Sequence, residues 1–360
     1  MNTLSNAIME ETKLNNLSIP NIHQLGSDRG RGNLLGIEPY MVPQDYASKE
    51  SFFNKLKGYL LAAQRENWLN EKTIVVFPEY VGSWLVLAGE GEKIFQVTTF
   101  DAAERTMVLS HPLRFVANWL ASREKGRAEA AFFRMKSNQM VEIYQDVFSQ
   151  LAREYAVTIV AGSIVLPALQ ISNGRLVLTE GVLYNTSVVF QRDGRPYPRP
   201  ISKIFPTAEE LPFIASAPIK DIPSFDTPAG RLGVLVCADS WFPQAYISLK
   251  EQGIDLLVVP SFGAFAEHTW NQSWLGYDGW PAPIDVDLKD VQKLTEGQAW
   301  NKYSLAGRIQ SSGATYGMNV FLRGKLWDQD SGGWPATLVK DGEVFVEEQS
   351  RKAAILSLWL

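Results

Sequence analysis

The stretch GVLVCADSWFP, residues 233–243, passes from an apolar run into a polar turn, and the only cysteine of the 360-residue chain, Cys237, lies at that junction. A short apolar run that stops at a turn is typical of a buried strand. A lone cysteine is most often an inert core residue, but the carboxyl ends of strands are also where α/β proteins build their sites. Taken alone, the stretch leaves both interpretations of Cys237 open.

Two other apolar runs also end in ionisable residues. TIVVFPE ends in Glu79, and PISKIFPTAEE carries Lys203 with Glu209 and Glu210 further on. A thiol needs a base or a positive neighbour to become a useful nucleophile, and no histidine lies near Cys237 in the sequence. A buried glutamate can act as that base, and a lysine can stabilise an oxyanion. These residue types at strand ends therefore indicate covalent catalysis by a thiol.

The remaining pattern predicts an α/β protein. Helical periodicity with a serine cap predicts a helix over 48–67, and a second helix is predicted over 139–155. Apolar runs predict strands over 33–42, 72–79, 158–167, 181–190, 198–205, 232–237, 254–262, 318–324 and 334–343. No Pro/Gly/Ser-rich linker divides the chain, so we expect mixed sheets covered by helices in a single domain. The predicted organisation is an N-terminal arm (1–32), a single domain (33–345) that contains a probable insertion (80–138), and a C-terminal extension (346–360).

Composition excludes several classes of function. Hydrophobic residues make up 46% and charged residues 20%, and the net charge of −5 provides no basic field for nucleic acid. One cysteine excludes an intrachain disulfide framework and zinc sites built on paired cysteines. His23, His111 and His268 are far apart in the sequence, so we expect no metal and no cofactor. The N-terminal residues lack a signal-peptide pattern and no apolar run is long enough to span a bilayer, which predicts a cytoplasmic protein without membrane contact.

The three motifs VVFPE, SKIFPTAEE and GVLVCADSWFP, in this order, resemble those of the nitrilase superfamily of carbon–nitrogen hydrolases. LYNTSVVFQRDG before the cysteine, GIDLLVVPSF after it and the late YGMNVFLRG support the resemblance, which covers roughly residues 33–345. It implies a four-layer α-β-β-α sandwich that forms homodimers or larger homo-oligomers.

The resemblance also implies a role for each residue. Cys237 attacks the carbonyl or nitrile carbon, Glu79 acts as base and then as acid, and Lys203 stabilises the tetrahedral intermediate together with the backbone N–H of Ala238. A second glutamate orients the lysine or the substrate. Glu210 is the expected residue, because its spacing from the lysine is similar to that of the nitrilase branch, and the neighbouring Glu209 is the alternative.

The substrate class is less clear from the motifs. SKIFPTAEE is similar to true nitrilases, but those usually carry Trp-Glu after the cysteine, whereas Ala238 and Asp239 stand here. An aspartate at that position followed by WFP is more similar to amidases and carbamoylases, so we expect a small amide or carbamoyl substrate. Nitrile hydrolysis, acyl transfer to an amine and a catalytically silent binding protein are the alternatives.

Aromatic residues near the nucleophile are candidate substrate contacts. We expect Ala238, Asp239 and Trp241 to line the acyl pocket. The segment 262–303 is rich in tryptophan, which indicates either a lid over an apolar substrate or a subunit interface. Its members are Trp270, Trp274, Trp280 and Trp300. Trp270 and Trp274 are the predicted lid contacts, and no catalytic role is expected for His268 in the same segment.

Overall fold

Two six-stranded sheets form the centre of the protein, in a computed structural model that describes residues 16–263, 269–279 and 281–360. The strands of the first sheet are, in spatial order, β1 (Asn21–Leu25), β18 (Ala354–Trp359), β2 (Asn33–Glu38), β4 (Ile74–Phe77), β5 (Thr158–Ala161) and β8 (Val189–Phe190). Strands β2, β4 and β5 run parallel, so their carboxyl ends meet at one edge of the sheet.

The second sheet also has a parallel centre, formed by β11, β12 and β13. Its strands are, in spatial order, β10 (Ser224–Thr227), β11 (Gly230–Val234), β12 (Leu256–Ser261), β13 (Tyr316–Phe321), β16 (Thr337–Lys340) and β17 (Glu343–Val346). Two three-stranded sheets complete the strands, namely β15 (Gln329–Asp330), β14 (Arg323–Leu326) and β3 (Tyr40–Met41), and β6 (Ile164–Ser172), β7 (Arg175–Ser187) and β9 (Ile201–Ser202).

Helices cover the outer faces of both large sheets. They are α1 (Lys49–Arg65), α2 (Lys93–Gln96), α3 (Phe100–Ser110), α4 (Pro112–Ala121), α5 (Arg127–Arg134), α6 (Ser137–Tyr155), α7 (Pro243–Lys250), α8 (Glu296–Tyr303) and α9 (Leu305–Arg308). Helix α1 begins after Ser48, whose hydroxyl accepts a hydrogen bond from the Ser51 N–H at 3.0 Å. The two helices predicted over 48–67 and 139–155 are thereby confirmed as α1 and α6.

Side chains that alternate along the strands separate the layers. On β4, Val75 and Phe77 pack in the core that contains α1 and α6, whereas Ile74 and Val76 point into the core between the sheets. Because successive strand residues face opposite sides, one fully apolar strand can serve two cores.

The second sheet repeats this arrangement. Leu256 and Val258 of β12 face the first sheet, and Leu257 packs with Leu249 of α7 and Leu305 of α9 on the outside. The layers therefore follow one another as helix, sheet, sheet and helix, and the predicted α-β-β-α sandwich is confirmed.

Four predicted strands, over 33–42, 158–167, 181–190 and 318–324, each contain parts of two strands that belong to different sheets. The strand over 158–167 divides into β5 and β6 next to Glu79. The chain turns at Gly162, which has a φ of +64° and lies against the preceding turn of the first sheet. A Cβ atom at Gly162 would lie 2.0 Å from the carbonyl oxygen of Pro78, so only glycine fits there. The contact holds Pro78, and with it the adjacent Glu79, against the start of β6.

The chain segments outside the predicted domain also contain regular structure. Strand β1 lies within the predicted arm, of which residues 1–15 fall outside the described residues. Strand β18, within the predicted extension, lies between β1 and β2 in the first sheet. The predicted insertion contains the four helices α2 to α5. No helix in the described ranges has the length and apolar character needed to cross a membrane.

Candidate active site

Four side chains that the sequence predicted as catalytic lie together between the two large sheets. Glu79 follows β4, Lys203 follows β9, Glu210 comes from the turn beyond Lys203, and Cys237 follows β11. Their exposed fractions are 1%, 1%, 4% and 6%, so all four are removed from bulk water. Charged groups are buried in this way only when they are paired.

Unusual backbone conformations position Glu79 and Cys237. Cys237 has a φ of +50° and opens the 3-10 turn Cys237–Trp241, and Tyr80, directly after Glu79, has a φ of +62°. Residues other than glycine adopt this left-handed conformation at a cost, and such strain is concentrated at functional sites. The Tyr80 N–H donates to Ser163 Oγ at 2.9 Å, which helps to hold this turn.

Lys203 lies between the two glutamates. Its Nζ is 2.8 Å from Glu79 Oε1 and 2.6 Å from Glu210 Oε2. Asn185 Nδ2 also joins them, since it donates to Glu79 Oε1 at 2.8 Å and to Glu210 Oε1 at 3.0 Å. The Lys203 N–H in turn donates to the Asn185 carbonyl at 2.8 Å, so the ends of β7 and β9 present both donors side by side.

Glu210 accepts more hydrogen bonds than Glu79. Besides Lys203 and Asn185, it accepts from the Tyr80 hydroxyl and from the Thr207 N–H, the latter at 2.8 Å. Burial works to raise the pKa of Glu210, but Lys203 and these hydrogen bonds outweigh it and lower that pKa. Glu210 is therefore held as a carboxylate.

Glu79 has the opposite electrostatic balance. Burial raises the pKa of Glu79, and the Glu210 charge raises it further, although Lys203 lowers it. Burial works to lower the pKa of Lys203, but the two carboxylates outweigh it and hold that pKa well above its usual value. The lysine is thus a permanent cation, and Glu79 is the carboxylate best suited to exchange a proton.

The thiol of Cys237 lies at the end of β11, beside the end of the neighbouring strand β12. Its Sγ is 3.7 Å from the carbonyl oxygen of Phe262, to which it donates. Burial raises the pKa of Cys237 well above its usual value, and the nearby Glu79 carboxylate raises it further. The resting thiol is therefore neutral, and a base is needed to remove its proton.

Asp239, whose place in the acyl pocket stays a prediction, accepts hydrogen bonds from the backbone of two chain segments. Oδ1 accepts from the N–H groups of Ile204 and Phe205 at 2.9 and 2.8 Å, and Oδ2 accepts from the Val236 N–H at 3.3 Å. The carboxylate thus connects the backbone after Lys203 to the backbone before the nucleophile, and both its oxygens are already occupied. Burial raises the pKa of Asp239 to about 7.

The predicted aromatic contacts lie in one buried cluster. Trp241 packs against Trp274 and Trp300, with ring centroids 6.0 and 5.6 Å apart, and Trp270 packs against Trp334 at 5.1 Å. Trp274 is only 1% exposed. Ala238 is also buried, directly beside the nucleophile. Substrate contacts by these residues stay predictions, and Trp280 and His268 lie outside the described residues.

Sequence reasoning did not assign Asn185 or Tyr80 to the site. Asn185 lies within LYNTSVVF, where a polar side chain interrupts a buried strand, and that interruption was the available signal. Tyr80 directly follows the predicted base, and nothing in its spacing indicates a contact with Glu210. The described residues contain no group of three His, Cys, Asp or Glu side chains that could hold a metal ion.

The model of the carbon-nitrogen hydrolase family matches residues 39–277, and the chain belongs to this family. Solved structures of nitrilase-superfamily members share the fold across most of the chain. An amidase from Nesterenkonia sp. AN1, solved with acrylamide added to its active-site cysteine, has a TM-score of 0.52 at 12% identity and covers 91% of this chain and 93% of its own. A carbon-nitrogen hydrolase from Helicobacter pylori G27 has a TM-score of 0.54 at 14% identity, and the match covers 91% of this chain and 88% of that one. The predicted membership of the nitrilase superfamily is thereby confirmed.

Curated relatives match over shorter stretches. A deaminated glutathione amidase from Dictyostelium discoideum is 39% identical over 54 residues, which are 15% of this chain and 18% of that protein. A probable hydrolase from Bacillus subtilis is 26% identical over 125 residues, or 34% of this chain and 21% of that protein. The matched segments thus span about a fifth of either relative.

Proposed function

We propose that the protein hydrolyses the carbon–nitrogen bond of a small amide or carbamoyl compound through a thioester at Cys237. The observation that carries the proposal is the buried Lys203 ammonium, which lies between two carboxylates next to a neutral thiol. This arrangement supplies a nucleophile, a base with a raised pKa and a fixed positive charge within one site.

In the acylation half of the reaction, Glu79 takes the Cys237 proton as the sulfur attacks the amide carbon. The carbonyl oxygen becomes an oxyanion, which Lys203 and the N–H of Ala238 stabilise. Glu79 then returns the proton to the nitrogen, the carbon–nitrogen bond breaks, and ammonia or an amine leaves. Since the thiol pKa is raised, proton transfer accompanies the attack and does not precede it.

In the deacylation half, Glu79 takes a proton from water, which attacks the thioester carbon. The second tetrahedral intermediate collapses, the carbon–sulfur bond breaks, and the sulfur regains a proton as the carboxylic acid leaves. Throughout, Glu210 keeps its charge and positions Lys203 by the contact at 2.6 Å. No cofactor is needed in this sequence of steps.

A nitrile is the second candidate substrate, because Glu210 stands at the spacing from Lys203 that resembles the nitrilase branch. Attack by Cys237 on a nitrile carbon gives a thioimidate, and water then yields the carboxylic acid and ammonia. We favour the amide because Ala238 and Asp239 follow the nucleophile where nitrilases usually have Trp-Glu. Parallel assays on matched amide and nitrile pairs separate the two.

The test measures ammonia release from a panel of amides, carbamoyl compounds and nitriles, together with the intact mass of the protein. We expect turnover of at least one amide and an acyl adduct that is absent in Cys237→Ala. The chain has one cysteine, so any thiol-dependent adduct is assigned without mapping. Full turnover by Cys237→Ala would refute the thioester mechanism. Hydroxylamine as acceptor would give a hydroxamate and would detect acyl transfer.

A matched pair of variants tests the base. Glu79→Gln keeps the shape of the side chain and removes its basicity, so we expect a loss of about 10²- to 10⁴-fold in kcat/KM. Glu209→Gln makes the same chemical change on an exposed neighbour of Glu210 and should leave kcat/KM within twofold. Equal activity in both variants would remove Glu79 from the mechanism.

A further inference from the structure

Tyr277 lies over the turn that follows the nucleophile. Its ring centroid is 5.4 Å from that of Trp241 and 5.6 Å from that of Phe242, which are the fourth and fifth residues after Cys237. These two aromatic contacts fix the plane of the Tyr277 ring. The hydroxyl, which is the polar group of the side chain, takes no part in them. Tyr277 is therefore held next to the site, although it belongs to a distant segment of the chain.

The Tyr277 hydroxyl is buried, yet it has no hydrogen-bond partner among the described residues. A buried hydroxyl without a partner is unfavourable, so proteins rarely keep one without a reason. A site that must bind a polar group of a ligand provides such a reason, because the missing partner arrives with the ligand.

The charges around the hydroxyl are those of the catalytic groups. Burial raises the pKa of Tyr277, Lys203 lowers it, and Asp239, Cys237 and Glu210 raise it. These groups belong to two chain segments, 203–210 and 237–239, and their influence agrees with the position of the ring against Trp241 and Phe242. The tyrosine therefore remains protonated and is a hydrogen-bond donor at neutral pH.

A nearby glycine makes room for the ring. A Cβ atom on Gly279 would lie 2.8 Å from Tyr277 Cε1 and 3.5 Å from its hydroxyl oxygen, so a larger residue would displace the ring. The local chain thus accommodates the tyrosine in its present orientation.

We propose that Tyr277 is a substrate-binding residue whose hydroxyl donates a hydrogen bond to an acceptor oxygen of the amide or carbamoyl compound held at Cys237. The inference rests on the proposed function and extends it, since it assigns to the segment after the nucleophile a polar contact with the substrate. It also restricts the substrate class to compounds that present an acceptor at this position. The neighbouring tryptophans then supply packing and Tyr277 supplies the directional contact.

The test compares Tyr277→Phe with Tyr155→Phe. Tyr155, at the end of α6, also has a buried hydroxyl without a hydrogen-bond partner, so the control makes the same chemical change far from the nucleophile. We measure kcat and KM on the best amide, the rate of acyl-adduct formation and the melting temperature. For Tyr277→Phe we expect kcat/KM and the acylation rate to fall about 10- to 100-fold, with an unchanged or higher melting temperature.

The control Tyr155→Phe should stay within twofold of the unaltered protein in kcat/KM. A decrease in kcat/KM of less than threefold in Tyr277→Phe would overturn the inference. A larger decrease would also overturn it if the variant were partly unfolded and the decrease matched its smaller folded fraction. Turnover by the unaltered protein and its absence in Cys237→Ala establish the proposed function independently. A failure of the inference therefore remains distinguishable from a failure of the proposed function.

Discussion

Replacement of Lys203 by methionine removes the cation that contacts both buried carboxylates of the site. The ammonium lies 2.8 Å from Glu79 and 2.6 Å from Glu210, and all three groups are at most 4% exposed. Removal of one partner from a buried ion pair costs about 3 to 5 kcal/mol, because the remaining charge stays buried and uncompensated. We expect a loss of unfolding free energy of this size at pH 8.

The cost falls mainly on Glu79. Glu210 retains the Tyr80 hydroxyl, the Thr207 N–H and Asn185 as donors, whereas Glu79 retains Asn185 and the Cys237 thiol. In the variant, the folded-state pKa of Glu79 rises further above its unfolded value, so the folded state binds the extra proton at low pH. The destabilisation is therefore fully present at high pH and shrinks as the pH falls toward the unfolded pKa.

Urea unfolding at several pH values measures this, and a double-mutant cycle sharpens it. Glu210→Gln alone should destabilise the protein, because it breaks an ion pair. In the Lys203→Met background the same change should recover stability, because it removes one of two unpaired charges. Additive effects of the two substitutions, or a Lys203→Met protein as stable as the unaltered one at pH 8, would refute this account. Activity should fall about 10²- to 10³-fold in Lys203→Met.

Three further predictions follow from buried charges. Glu210→Gln removes a negative charge beside Glu79, so the acid limb of the kcat/KM–pH profile should move to lower pH. An unmoved limb would show that the Glu210 charge does not raise the pKa of Glu79. Asp239→Asn removes a group whose pKa is raised to about 7 in the folded protein. As the pH rises from 4 to 7, the unfolding free energy of the unaltered protein should therefore fall by up to about 4 kcal/mol relative to that of the variant. Parallel slopes of unfolding free energy against pH in the two proteins would contradict this. Arg323→Met removes the cation that the buried Glu38 shares with Glu347 and leaves Glu38 without an ion-pair partner among the described residues, with an expected loss of about 3 to 5 kcal/mol in urea unfolding at pH 8. A stability equal to that of the unaltered protein would show that these carboxyls are neutral.

Three of the four predicted catalytic residues share one local signature, whereas Glu210 was expected only from its spacing to Lys203 in the motif. Glu79, Lys203 and Cys237 each follow an apolar run, so the end of a strand marks them without any knowledge of their contacts. Asn185 is inside a strand, and its two partners come from distant segments of the chain. Tyr277 belongs to a segment without periodicity, and only the folded packing shows that its ring lies against Trp241 and Phe242.

The fold shows the same division between local and distant information. Helical periodicity, the serine cap of α1 and short apolar runs are local signals, and they predicted α1, α6 and most central strands. Strand β1 lies at the edge of its sheet, and its side chains are exposed or half-buried. Its sequence NIHQL is therefore not an apolar run and gives no strand signal. Strand β18 is fully buried, but its partners β1 and β2 lie more than 300 residues earlier, and pairing over that separation has no local signature.

The unequal environments of the two glutamates decide which of them can act as the base. Both contact the same lysine and the same asparagine, so a shared partner cannot distinguish them. The additional donors from Tyr80 and Thr207 hold Glu210 ionised, and its fixed charge then favours the protonated form of Glu79. Two carboxylates with pKa values shifted in opposite directions divide the work, since one keeps its charge and the other moves a proton. We infer that Glu210 exists in this site to set the basicity of Glu79 as much as to hold the lysine, and a shift of the pH profile in Glu210→Gln is the direct measure of that role.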